Sequence, residues 1–150
     1  MKRRGLKLIT AALLLVFILC GCSAKEQTKT MRLEQDNISV EMVFEAKGDI
    51  IHTIIQTTEM SLEGVDEETV KQLKQNVESM KTTYAQYEGV TYTSEVGKEN
   101  FKETITIDTS SEETIKELSE NELLPIDGET SKLSLKKTME SLTESGWTEQ

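Results

Sequence analysis

From Asn37 onward, apolar and polar residues alternate: Ile38, Val40, Met42, Phe44 and Ala46 fall on one side, Ser39, Glu41, Glu45 and Lys47 on the other. A period of two is that of a half-buried strand. The run ends at Lys47-Gly48-Asp49, a tight-turn signal, and resumes as the Ile- and Thr-rich segment Ile50 to Leu62. The pattern therefore predicts a long antiparallel hairpin, with one face against a core and the other in water. Met31 to Gln35 reads as a shorter strand ahead of it. Val90 to Val96 and Phe101 to Asp108 flank the turn-like Gly97-Lys98-Glu99-Asn100 and read as a second pair, with Ile105 and Ile107 facing inward.

Between the two pairs, Val70, Leu73, Val77, Met80, Tyr84 and Tyr87 recur at spacings of three and four, the stripe of one amphipathic helix. Asp66 suits its N-cap, Val65 and Val70 a hydrophobic staple, and Gly89 its end. A shorter helix is predicted after Ser110, where Ser110 and Glu113 have capping-box spacing and Ile115 and Leu118 face inward. A last helix carries Leu135, Met139 and Leu142, and Leu142 to Gly146-Trp147 has the spacing of a Schellman cap that folds Trp147 back as a lid. The fold class expected is α+β: an antiparallel sheet of four to five strands, in the order β-β-β-α-β-β-α-α, packed against one long and two shorter helices.

The first twenty-two residues read differently. Lys2, Arg3, Arg4 and Lys7 precede an uncharged run, Leu8 to Leu19. Twelve helical residues cover roughly 18 Å, short of the ~30 Å hydrocarbon core of a bilayer, so a signal peptide is favoured over a permanent span. The run closes on Leu19-Cys20-Gly21-Cys22, which resembles the lipobox of bacterial lipoprotein precursors. The resemblance implies that the Cys22 thiol takes a diacylglycerol and that cleavage falls between Gly21 and Cys22. Loss of the leader leaves one cysteine and no internal disulfide.

With 150 residues, one proline and 36% hydrophobic content, the chain suits a single globular domain, set at residues 30–150. Residues 23–29, SAKEQTK, read as a short polar tether. The net charge of −10 excludes the basic footprint of a nucleic-acid binder. After Cys22 becomes the first residue, 13 lysines and arginines face 27 acids, a side-chain net of −14. Anionic headgroups repel such a surface as a whole, so retention at the membrane falls to acyl chains.

The lipobox, the Lys47-Gly48-Asp49 hairpin after a Phe-containing strand, Gly89-Val90 opening a Thr- and Tyr-rich strand, Ile105-Thr106-Ile107-Asp108, and the closing Met139, Leu142, Gly146 and Trp147 together resemble the YehR-like small bacterial lipoproteins. The resemblance runs over nearly the whole chain. It implies an α+β fold and an envelope location on the extracytoplasmic face of the cell membrane, or the outer membrane where there is one. That family is of unknown function, so it carries over no catalytic or ligand-binding residue.

Chemical signatures are sparse. His52 is the single histidine, and without a second histidine or a spare cysteine the usual ligands of a zinc site are missing. Asp66-Glu67-Glu68 and Glu112-Glu113 lack the spacing of a calcium loop and fit helix starts. There is no G-x-S-x-G elbow and no phosphate-cradling glycine loop. Tyr84, Tyr87 and Tyr92 are candidates for an aromatic binding patch, with core cover as the plainer reading. No cofactor is implied. The expectation is a lipid-anchored, non-catalytic envelope protein that binds an envelope partner or a small ligand through its sheet face or loops. Two alternatives remain: an envelope hydrolase with His52 as general base, and an acidic binder of divalent cations.

Overall fold

A computed structural model describes residues 24–121, 123–124 and 131–150. Cys22 and the leader lie outside the described residues. The sequence of elements is β1 (Glu26–Gln35), β2 (Ile38–Lys47), β3 (Ile50–Ser61), α1 (Glu67–Tyr84), β4 (Val90–Val96), β5 (Asn100–Asp108), α2 (Glu112–Glu120), β6 (Leu133–Ser134), α3 (Leu135–Glu144) and β7 (Thr148–Glu149). The architecture is α+β, and every strand pairing is antiparallel. The sheet runs β4-β5-β3-β2-β1-β7, with β6 added to β3 beside its first residues.

The predicted hairpins are present. Lys47 pairs with Ile50 across Gly48-Asp49, and Val96 with Phe101 across the Gly97 turn. Gly48 takes the left-handed region at φ 62°, which an L side chain resists. Side chains alternate across a sheet, so Met31, Phe44, Ala46, Ile54, Ile105 and Ile107 share one face, and they form the buried core with Leu118 of α2 and Leu135 of α3. A second cluster of Leu62, Val77 of α1 and Phe101 caps the other end of that face. All three helices thus cover the same side. The opposite side presents Thr30, Glu41, Val43, Thr57, Thr104 and Thr106, and none of the described helices packs on it.

Several expectations need correction. The strand expected at Met31 begins at Glu26, so Glu26 to Lys29 belong to the sheet and not to a tether. They pair with Phe44 to Lys47, whose outer edge would otherwise leave its backbone groups unbonded. Helix α1 stops at Tyr84, so Tyr87 lies beyond the helix and Gly89 in the following turn. The hydroxyls of Thr82 and Thr83 bond back to the carbonyls of Glu78 and Ser79, and the chain tightens into turns closed by Tyr84 O. Helix α2 is capped by Ser111, not Ser110, because the amide and hydroxyl of Ser110 both donate to Asp108 Oδ1. The strands β6 and β7, two residues each, are additions. The Asp66 cap and the Schellman end hold: Asp66 accepts from the Thr69 amide, and Trp147 N–H donates to Leu142 O with Gly146 at φ 89°.

Candidate functional site

The strands define two poles, roughly 30 Å apart for the ten residues of β1. One pole holds the start of β1 and the Gly48-Asp49 turn. The other holds the Asp36-Asn37 turn, the end of β3 and the start of β5.

His52 lies near the first pole. The pairing of β2 with β3 slips between Glu45 and Ala46, so His52 is the extra residue of a bulge, which re-aims its ring. Its Nδ1 is 3.0 Å from Thr53 Oγ1 and its Nε2 3.1 Å from Glu26 Oε2. A proton on Nε2 satisfies both contacts, with the Thr53 hydroxyl donating to Nδ1. Hydroxyl, imidazole and carboxylate thus follow in the order that activates a nucleophile. Ser110 takes no part in this, since its hydroxyl donates to Asp108 Oδ1 at 2.5 Å. Those contacts, with a smaller contribution from His52, hold the Asp108 carboxyl below its ordinary pKa.

The tyrosines divide. Tyr84 and Tyr92 stack, with ring centroids 5.3 Å apart and planes 16° from parallel. Tyr92 donates to Glu103 Oε2 at 2.9 Å. Burial, that hydrogen bond and the negative charge of Glu103 push the Tyr92 phenol up to about 12. Tyr87 packs against the main core from the turn after α1. All three are half-buried on the core side of the molecule. Glu103 was not foreseen as their partner: its inward placement follows from the register of β4 with β5, where it stands two positions before buried Ile105.

At the far pole an open hollow of about 840 Å³ is bounded by Glu34, Ile38, Glu59, Met60, Glu99 and Lys102, among others. It adjoins a corner of the core-side face that no helix covers. By register Leu33, Val40 and Thr58 form one row there, which continues under α1 as Glu103 and Ser94. Helix α1 packs over β4 and β5, while α2 and α3 sit over the other half of the sheet. Consequently Leu33 and Val40 stay half-exposed and Ile38 is 39% exposed, although all three point to the side that elsewhere makes the core. Neither this hollow nor a smaller one beside Leu33 and Thr148 is lined by a tyrosine. Among the described residues no group of three or more His, Cys, Asp or Glu is placed to hold a metal ion. None of the described helices is long and apolar enough to cross a membrane.

Comparison with known proteins agrees with this fold. The NMR structure of the Escherichia coli YehR protein is similar, with a TM-score of 0.63 at 15% identity over 84% of this chain and 91% of that one. An NMR structure of a protein from Streptococcus pneumoniae TIGR4 is similar with a TM-score of 0.51 at 14% identity, covering 84% and 86% of the two chains. No curated protein matches the sequence. A family model described as protein of unknown function (DUF1307) matches residues 27–148. Nearly the whole sheet, all three helices and the uncovered corner fall inside that match, and the chain belongs to this YehR-like family of unknown function.

Proposed function

We propose that this protein is a lipid-anchored, non-catalytic component of the bacterial cell envelope that binds a partner through the uncovered corner at its far pole. The observation that carries this reading is the exposure of Ile38, with Val40 and Leu33 only half-buried beside it, on a sheet face whose central side chains Met31, Phe44, Ala46, Ile54, Ile105 and Ile107 are buried. Apolar groups grouped at an open hollow and rimmed by Glu34, Glu59 and Lys102 have the makeup of a recognition surface. The leader ending in Gly21-Cys22 supports an anchor on Cys22. With Cys22 two residues ahead of Ala24, that anchor tethers the first pole to the bilayer and leaves the far pole facing away from it.

Two measurements test the two halves. Intact mass of protein taken from its native membranes is expected to show a chain starting at Cys22 and carrying diacylglycerol. A photo-crosslinking side chain at Ile38 or Val40 is expected to capture a reproducible envelope component, whereas the same probe at Thr93, on the opposite face, does not. Equal capture at both places, or none at either, removes the binding reading.

A second reading rests on the Thr53–His52–Glu26 arrangement, which supplies a general base for an envelope hydrolase. It requires that His52→Ala abolish turnover of an ester or peptide substrate with the melting temperature unchanged. Hydrolysis unaffected by that change disposes of it.

A further inference from the structure

We infer that Lys25, Lys47, Lys136 and Lys137 form a docking corner for anionic phospholipid headgroups, which sets how the domain stands on the membrane. The inference rests on the lipid anchor proposed above. All four lysines converge on the Gly48-Asp49 turn. Lys25 O accepts from the Gly48 amide at 2.9 Å, and Lys47 immediately precedes the turn. Lys136 donates its backbone amide to Asp49 Oδ1 at 2.8 Å, with Lys137 next to it. All four side chains are exposed.

Two features set this corner apart from the far pole. Lys136 and Lys137 occupy the first turn of α3, where the helix dipole already presents positive charge and no acidic residue stands, Glu140 following in the next turn. The acid at hand, Asp49, accepts from Ser134 Oγ and the Lys136 amide and stays ionised there, so it offsets one of the four lysine charges. Glu26 is held at His52. Among the other described acids near this pole, Glu45 lies on β2 and Glu140 in the second turn of α3, while Glu88, Asp108, Glu112 and Glu113 belong to the β4–β5–α2 side. At the far pole Glu34, Asp36, Glu59, Glu63 and Glu99 gather about the hollow. A chain with a strong negative excess therefore gathers four exposed lysines where its first strand begins, the least acidic part of its described surface along this strand. Lys25 is three residues from Cys22, a reach of at most about 11 Å, which puts the corner within the range of headgroup charge at physiological ionic strength. Anionic lipid draws this corner down, tilts the β4–β5 side away and holds the far hollow outward.

The test uses the lipidated full-length product, reconstituted in vesicles of phosphatidylcholine alone or with phosphatidylglycerol added. Lysines are acylated by a membrane-impermeant amine reagent and read by mass spectrometry, with Lys98 at the far pole as internal reference. On anionic vesicles Lys25, Lys47, Lys136 and Lys137 are expected to label roughly fivefold more slowly relative to Lys98, and high salt should erase the difference. The double variant K47Q/K137Q, altered only at exposed side chains, should restore labelling of Lys25 and Lys136. Equal labelling on the two kinds of vesicle, with Cys22 acylated, overturns the docking corner and leaves the anchor standing. An unmodified Cys22 overturns the anchor, and the corner with it.

Discussion

Tyr92 illustrates how much a register decides for one residue. Its hydroxyl meets the Glu103 carboxylate under the ring of Tyr84, and ionising it would place two negative charges side by side in a half-buried site. Ultraviolet titration of tyrosinate should therefore resolve one phenol near 12, and Glu103→Gln should bring it back toward 10. A single transition for all three tyrosines near their ordinary value would contradict this arrangement. Two glycines offer a second contrast. At Gly146 nothing lies within 4 Å of an added Cβ, so Gly146→Ala should cost only the left-handed strain of about 1 kcal/mol. At Gly48 the same strain is joined by a contact of 2.9 Å with Ala24 Cβ, and Gly48→Ala should be clearly the more destabilising in urea denaturation. Equal losses would mean that Ala24 yields freely. The φ demand at both glycines was legible in the turn and Schellman spacings. The clash at Gly48 was not, because the stretch around Ala24 reads as tether until its pairing with β2 is known.

The elements differ in how firmly they are held. Helix α2 is nine residues long and buries Ile115 and Leu118 almost completely, whereas α1 is twice that length and buries only Val77. Helical stability comes chiefly from tertiary packing, so the longer helix is the weaker element. Native-state hydrogen exchange should find the amides of α1 opening before those of α2 and β3. Leu118→Ala should cost about 2–5 kcal/mol of global stability, while Val77→Ala should chiefly hasten exchange within α1. Protection of α1 equal to that of β3 would show that its contacts with Phe101 and Leu62 count for more than their area suggests. Local codes were legible here: alternation drew β2 and β5, Asp66 marked the start of α1, and the Leu142–Trp147 spacing marked the end of α3. What escaped was made by distant partners. Strands β6 and β7 are too short to carry a pattern and exist because Ile51, Met31 and Arg32 offer them free backbone groups. The end of α1 was overrun because the apolar stripe continues to Tyr87 after the backbone has left the helix. The uncovered corner was likewise invisible, since Val40 reads as core until the helices are seen to pack elsewhere.

For the molecule as a whole, these local contacts combine into a pH window. Asp49 is held below its ordinary 3.8 by Ser134 Oγ and the Lys136 amide, Asp66 by the Thr69 amide and hydroxyl, and Asp108 by Ser110. Glu59 is lowered from 4.5 by Lys102, whose own pKa is raised in return. A carboxyl with a depressed folded pKa contributes stability that is complete above its unfolded value and is lost as pH falls through the folded one. The acid limb should therefore begin below about pH 4 and continue downward. For Tyr84, Tyr92 and Lys102 the folded pKa is raised, so their contribution is present below the unfolded values and is lost at higher pH, for Tyr92 as pH climbs from about 10 toward 12. Growing negative charge on an already acidic chain works in the same direction. Urea midpoints should thus form a plateau with two limbs that can be altered separately. Asp49→Asn with Asp108→Asn should flatten the acid limb and spare the alkaline one, and Glu103→Gln should do the reverse. If both variants shift the two limbs alike, the limbs reflect total charge rather than these partners. In that event the carboxyl that holds α3 to the Gly48-Asp49 turn makes no separate contribution to the acid limb.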